Sequence, residues 1–335
     1  MHKRKVMKKV RQITYSEAIK EAMCQEMRKN DDVFIMGEDI GVYGGAFGLT
    51  NGMIEEFGPE RVRNTPISEA AISGCAVGAA MTGMRPILEI QFSDFIVIAM
   101  DNIVNQAAKM RYMFGGKAKV PLVVRLPSGS GAGFAAQHSQ SLEAWMTHIP
   151  GLKVVQPSSA YDAKGLMKAA IKDDNTVLFY EHKLLYNAKG EVPEEDYEIP
   201  LGEADVKRDG TDITIIATGI MVSRSLEAAK QLEEEGISVE IIDPRTLVPL
   251  DTKTILESVK KTSRVLVVYE AVKRGGYGAE IASMIAESDV FDYLDAPIRR
   301  LGGVATPIPY NPKLEQAAVP QIDDIVQECR KIMNK

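Results

Sequence analysis

Short, uniformly apolar runs recur along this chain at intervals, and helix-period segments separate them. Val33–Met36, Pro86–Ile90, Pro121–Leu126, Lys153–Gln156 and Thr176–Tyr180 form one series, and Ile213–Ala217, Ile237–Ile242 and Arg264–Tyr269 form a second. A strand apolar on both of its faces must be covered on both, which is the pattern of parallel sheets flanked by helices rather than of half-exposed antiparallel ribbons. The intervening segments carry helix signals. Thr14-Tyr15-Ser16-Glu17 reads as a capping box ahead of an apolar stripe at Ile19, Ala22, Met23 and Met27. Helices are also expected at 93–112, 161–172, 221–235, from the Asp251 cap to Lys260, at 278–286 and at 323–332. At 335 residues the chain exceeds one ordinary core, so two such domains are expected. The break falls at the acidic, proline-flanked stretch Glu191–Pro200, read as part of a linker over 187–205. The divisions are thus a basic arm at 1–12, a first domain at 13–186 and a second at 206–335.

Several classes of function are disfavoured by what surrounds these elements. A net charge of -6 supplies no electrostatic footprint for nucleic acid. No apolar run reaches the roughly 18 residues of a membrane span, and the basic N-terminus lacks the apolar core of a signal peptide. Cys24, Cys75 and Cys329 form no Cys-x-x-Cys pair, which points to reduced thiols in a cytoplasmic-type compartment and away from zinc or iron–sulfur sites.

Chemistry-bearing residues gather after the apolar runs, where open α/β sheets place their ligands. Gly37-Glu38-Asp39 ends the first run and leads into the glycine-rich loop Gly41–Gly48, whose spacing is neither a dinucleotide fingerprint nor a phosphate loop. In Asn64–Gly78, Pro66 and Ser68 predict a helix opening near Ser68 with Glu69 in its first turn and Gly74 and Gly78 on one face. Glu69 is there either as a reactive carboxylate or as a partner of the helix dipole. The small-residue loop Ser128–Ser141 contains His138, a functional or a structural histidine. His148 and His182 have weaker claims. Gly275–Gly278 is an anion site or an ordinary turn. With no nucleophile elbow and no metal-spaced histidine pair, these features fit a cofactor enzyme better than a hydrolase.

The sequence words carry a closer likeness. Glu69 followed by Gly74-x-x-x-Gly78, with "GED", "FGPERV", "TPISEA", "VGAAMTGMRP", "VNQAAKMRY", "AAQHSQSLEAW", "RTLVPLD" and "GAEIA", resembles the beta subunits of thiamine-diphosphate-dependent 2-oxo acid dehydrogenases over nearly the whole chain. The resemblance implies two doubly wound α/β domains, a thiamine-diphosphate pyrimidine-binding domain followed by a transketolase C-terminal-like domain. Glu69 matches the glutamate that hydrogen-bonds the cofactor's pyrimidine nitrogen and exchanges a proton there. Glu38 matches a second carboxylate near the cofactor, Phe95 a ring packed on the pyrimidine, and Ile67 a backbone contact in the same pocket. His138 matches a histidine suited to proton handling during acyl transfer to a lipoyl group. Leu122, Ala170, Ile171, Asp173 and Asn175 match positions that bind potassium in some relatives.

The family's diphosphate motif, Gly-Asp-Gly with a later Asn, does not occur here. The resemblance therefore implies that an alpha subunit holds magnesium and the diphosphate in a two-alpha-two-beta heterotetramer, which also engages the lipoyl domain of a dihydrolipoyl acyltransferase. "GVYGGAFG", "MRYMFGGKAKVP" and "GSGAGFAAQHSQSLEAW" are most similar to acetoin dehydrogenase beta subunits. The implied reaction cleaves acetoin to acetaldehyde and oxidises the remaining two-carbon unit onto lipoamide as acetyl. Pyruvate and branched-chain 2-oxo acid dehydrogenases share most of these words and lose carbon dioxide instead. Two other readings are a non-catalytic assembly subunit, with Glu69 only a helix-dipole partner, and a stand-alone transketolase-like enzyme, which the missing diphosphate motif disfavours.

Overall fold

In the computed structural model, which describes residues 10–334, the two series of apolar runs become two sheets. The first has seven strands in the order Thr246–Val248, Lys153–Val155, Val177–His182, Val123–Ser128, Arg85–Glu89, Val33–Glu38, Val62–Thr65. Six run parallel and Thr246–Val248 pairs antiparallel at one edge. The second has five strands, Arg299–Gly303, Val265–Val272, Ile213–Ala217, Val239–Asp243 and Asp205–Arg208, the last an antiparallel edge.

Strand alternation splits the first core into two layers. Ile35, Ile87, Val123 and Phe179 point to one face and meet Ile19, Met23 and Met27 of the helix Tyr15–Lys29 and Leu166 and Ile171 of the helix Ala160–Lys172. Phe34, Leu88, Val124 and Leu178 point to the other, against Ile72, Ala76 and Ala80 of the helix Glu69–Met81. This double cover is what the uniform apolar runs require, and the Thr14–Glu17 capping box forms as read.

Two readings differ from the structure. The helix expected at 93–112 is three consecutive windings: a 3₁₀ stretch Ser93–Ala99, a π-wound stretch Asp101–Ala107 and an α-helix Ala108–Met113. Ile96, Ala99, Ile103 and Ala107 stay buried along it, so the change of winding keeps one apolar line on the core through a β-branched run that suits an α-helix poorly. The acidic stretch after residue 187 is not all irregular, because Lys189–Pro193 pairs antiparallel with Val10–Thr14 and buries Val192. Residues 10–12 of the expected basic arm therefore lie in a strand, and residues 1–9 lie outside the described residues. No described helix is long and apolar enough to cross a membrane.

Candidate functional site

The first sheet changes direction at Val33–Glu38. The chain leaves this strand for Val62–Thr65 on one side and then crosses to Arg85–Glu89 on the other. Such a switch point opens a crevice beyond the strands' carboxyl ends. Glu38 is the strand's last residue, the loop of Ile67 follows Thr65, Phe95 follows Glu89, and His138 lies on the loop after Ser128. Topology alone thus brings the candidate residues to one edge of one sheet.

At the crevice floor two carboxylates face each other. Glu38 is 3 % exposed, its Oε1 has no hydrogen-bond partner among the described residues, and Glu69 is also buried. Burial first, and then the negative charge of Glu69, push the Glu38 carboxyl up to about 6. Ser68 does not cap the Glu69 helix with its hydroxyl as the sequence predicts; its backbone N–H donates to the Glu38 carboxylate instead. A strand end and a helix start are thereby joined through one acid. Thr65 Oγ1 nearby is likewise buried and unpartnered.

Gly74 faces the segment Asp101–Ala107 at ordinary van der Waals distance. Asn102 Nδ2 donates to Ala70 O at 2.7 Å and to Ser73 Oγ at 3.0 Å, and a Cβ at Gly74 would touch Asn102 Oδ1 at 3.4 Å. Gly78 faces open surface, with nothing within 4 Å of an added Cβ. Ile67 is 79 % exposed, so its side chain stands clear of this chain.

His138 sits in an aromatic corner. The edges of Phe92 and Phe95 meet its ring at centroid distances of 4.8 and 5.2 Å, near 81° and 82°. The loop is tied to the Phe92–Phe95 turn by Gln140, whose backbone N–H and Nε2 donate to Asp94 Oδ1 at 3.1 and 2.9 Å. Phe92 was not anticipated. Its signal, an aromatic directly after the strand run and three residues before Phe95, is indistinguishable in sequence from an ordinary core residue.

Beneath the crevice lies a second unanticipated group. Arg125 is buried and makes a bidentate pair with Glu181, Nε–Oε1 and Nη2–Oε2 both at 2.8 Å, while its Nη1 meets Glu89. Burial alone would lower the Arg125 pKa, and the two carboxylates more than reverse that. His182, given a weaker claim, is buried with its Nε2 2.8 Å from Glu270 Oε2. Burial raises the Glu270 pKa, but His182, the Ser130 N–H and Arg224 together bring it down to about 2. Lys183 falls to about 8, because burial outweighs the neighbouring carboxylates Asp94, Glu270 and Glu315.

The candidate potassium residues do gather, around the turn after the helix Ala160–Lys172. Their oxygens already accept from protein donors. Leu122 O accepts from Val177 N–H at 2.9 Å, Ala170 O from Asp173 N–H at 3.3 Å, and Ile171 O and Asp173 O both from Arg85 Nη1 at 3.0 Å. Asn175 Oδ1 accepts from Arg111 Nη1 at 2.8 Å and the Asp173 carboxylate pairs with Lys153. Three cationic side chains thus bring positive charge to this turn. The fit is better at the crevice, where an orphaned carboxylate oxygen, a second carboxylate and an aromatic wall suit a cationic aromatic heterocycle.

Comparison with known proteins identifies both domains. Residues 11–189 match the transketolase pyrimidine-binding domain and residues 202–325 the transketolase C-terminal domain. The chain is 49 % identical to the Bacillus subtilis acetoin:2,6-dichlorophenolindophenol oxidoreductase subunit beta, covering 97 % of this chain and 98 % of that one. It is 48 % identical to the Rhizobium meliloti pyruvate dehydrogenase E1 component subunit beta, covering 96 % and 70 %, and to the Bacillus subtilis 2-oxoisovalerate dehydrogenase subunit beta, covering 96 % and 98 %. Among solved structures it resembles a split-gene transketolase in an inactive beta4 tetramer, with TM-score 0.79, 24 % identity and coverage of 96 % and 98 %. That likeness speaks for the fold. On its two matched domains and these relatives, the chain belongs to the family of beta subunits of thiamine-diphosphate-dependent 2-oxo acid and acetoin dehydrogenases.

Proposed function

We propose that this chain is the beta subunit of an acetoin dehydrogenase, binding the pyrimidine end of thiamine diphosphate through Glu38, Ile67, Glu69 and Phe95 and handling protons at His138. The observation that carries the reading is the buried Glu38–Glu69 pair at the switch point. Two carboxyl groups that repel one another across a crevice, one kept in its acid form up to about pH 6, are suited to holding and passing a proton at a ring nitrogen. A purely structural pair would have its oxygens satisfied, whereas Glu38 Oε1 is not.

Bound thiamine diphosphate supplies the carbon nucleophile that attacks a carbonyl and stabilises the charge left by C–C cleavage. This chain's residues do the rest at their own atoms. Glu69 accepts and returns a proton at the pyrimidine nitrogen through its carboxylate. Glu38 fixes the start of the Glu69 helix through the Ser68 N–H and so aims that carboxylate. Phe92 and Phe95 exclude water from one side of the His138 ring, whose imidazole moves the proton when an acyl group passes to a lipoyl sulfur.

An alpha subunit would hold magnesium and the diphosphate in a two-alpha-two-beta assembly, since this chain lacks the diphosphate motif. The exposed Ile67, Val97, Ile98, Met113 and Phe114 are suited to such contacts. The lipoyl domain of an acyltransferase is the acyl acceptor. The three unpaired cysteines accord with a cytoplasmic setting. Acetoin is favoured over pyruvate by the loop words around Gly41–Gly48 and Ser128–Trp145. A margin of one per cent identity among the relatives leaves the assay to decide.

The test is reconstitution with the alpha subunit, thiamine diphosphate and magnesium, assayed with acetoin, pyruvate and 2-oxoisovalerate and an artificial electron acceptor. Acetoin should give the highest kcat/KM, and Glu69→Gln should assemble normally yet lose nearly all turnover. Wild-type turnover by Glu69→Gln would overturn the mechanism. Preference for pyruvate would overturn the substrate.

A further inference from the structure

The loop that carries His138 is held from both domains. Ser130 N–H donates to Glu270 Oε1 at 2.7 Å and Ser141 Oγ to the same oxygen at 3.3 Å, so this carboxylate grips both ends of the loop. Gly131 N–H donates to Glu315 Oε1 at 2.7 Å and Gly133 N–H at 3.4 Å. Glu270 belongs to the strand Val265–Val272 and Glu315 to the helix Pro312–Ala318, both in the second half of the chain and both buried, at 8 % and 3 %. From its own domain the loop is held near its two ends, by Lys183 Nζ on Gly129 O, by Gln140 on Asp94, by Ser93 Oγ on Gln140 O at 3.2 Å and by Gly129 N–H on Gln140 O at 3.3 Å, whereas residues 130–133 are held from the second domain.

The loop's composition requires such holding. Gly129, Gly131 and Gly133 all have positive φ, at 87°, 98° and 73°, conformations that a free chain of small residues would leave easily. Each bond to a carboxylate is charge-assisted and removed from water, which makes it stronger than a bond between neutral groups. Nothing in either carboxylate's own helix or strand needs these amide donors. The loop needs them.

We propose that Glu270 and Glu315 are positioning residues for acyl transfer: they reach across the domain boundary, fix the backbone N–H groups of Ser130, Gly131 and Gly133 and the hydroxyl of Ser141, and so hold His138 against Phe92 and Phe95. This deepens the proposed function and rests on it. Its consequence is that the second domain takes part in one step of the reaction. Misplacement of a catalytic group by about 1 Å can cost on the order of a hundredfold in rate. The loss should fall on the step that uses His138 and spare the steps at Glu69.

The experiment uses the reconstituted alpha–beta enzyme and measures two activities on each variant: reduction of an artificial electron acceptor, and acylation of a lipoyl domain. Glu315→Ala should lower kcat for lipoyl acylation about tenfold or more while acceptor reduction stays within about twofold. Glu315→Gln, which keeps an oxygen acceptor, should recover most of the acylation, and Glu270→Gln should shift the ratio in the same direction as Glu315→Ala. Hydrogen exchange on the same samples should speed up about tenfold at residues 129–141 in Glu315→Ala and stay unchanged around Glu69. An unchanged ratio of the two activities, or unchanged exchange in the loop, overturns the proposal. If Glu315→Ala does not fold, Glu315→Gln and Glu315→Asp decide it, the shortened Asp being expected to lower the ratio and an identical ratio in both overturning the idea. Absence of all turnover in the wild-type assembly would instead count against the proposed function, with loop exchange still judging the clamp.

Discussion

Glu143 is a buried acid whose cost to the fold should depend on pH. It begins the short helix Glu143–Thr147, is 2 % exposed, and leaves Oε2 without a hydrogen-bond partner among the described residues. Burial pushes its carboxyl up to about 7 from the ordinary 4.5, with its own backbone N–H pulling slightly down and Glu270 adding a little. Because the folded state prefers the protonated form, ionisation weighs against folding. Below about pH 4.5 the group is protonated folded or unfolded and costs nothing on this account. The cost grows as pH rises from about 4.5 to about 7 and is complete above that, at roughly 3 kcal/mol for a shift of this size. Glu143→Gln keeps the shape and removes the ionisation. Urea unfolding of both proteins at about pH 5 and about pH 8 should therefore show the variant gaining roughly 2–3 kcal/mol relative to wild type between the two conditions. Any constant penalty for burying the amide cancels in that double difference. If the difference between the proteins is the same at both pH values, Glu143 titrates normally and the reasoning from burial fails.

Three further outcomes are expected. Arg125→Leu strands two buried carboxylates, Glu89 and Glu181, and should cost about 3–5 kcal/mol in calorimetric unfolding, with Glu89→Gln and Glu181→Gln added together restoring much of it. At Gly129, φ is 87° and an added Cβ would lie 2.2 Å from His182 Nε2, so Gly129→Ala should lower the melting temperature and break the His182–Glu270 contact, visible as a displaced imidazole resonance. Ending the chain at residue 205 removes Thr246–Val248 from the edge of the first sheet and Leu247 from its core. The fragment should elute as aggregates in size exclusion, while the full chain does not.

The framework was legible because buried parallel strands leave a continuous apolar signature that survives without knowledge of their partners. Ile213–Ala217 coincides with its sequence-based range for that reason. Edge strands carry no such mark. Val62–Thr65 and Asp205–Arg208 are mostly polar, and Lys189–Pro193 finds its partner at Val10–Thr14, about half the chain away, so its strand character resides in the pairing. The site divides in the same way. Glu38, Glu69 and His138 stood out by position after strands and at a helix start, and family words gave them roles. Glu270 and Glu315 lie far along the chain from the loop they bind, and no local pattern connects an acid in a buried strand to Ser130, or an acid in a short helix to Gly131 and Gly133, in another domain.

The most telling departure is at Ser68. Sequence logic made Ser68 the cap and Glu69 a first-turn acid, an arrangement complete within six residues and explicable as helix chemistry. In the folded chain the Ser68 hydroxyl makes no capping bond, and the acceptor for its N–H is Glu38, about 30 residues earlier in sequence. A helix start that sets two carboxyl groups together is worse for stability than a serine hydroxyl cap, since the charge of Glu69 raises the cost of ionising Glu38. Local rules are broken in this manner where the arrangement serves something other than folding. Glu38 Oε1 and Thr65 Oγ1 beside it, both without a partner among the described residues, accord with the proposed cofactor site, because buried polar atoms at a sheet's switch point are hydrogen-bonding capacity that a ligand can use.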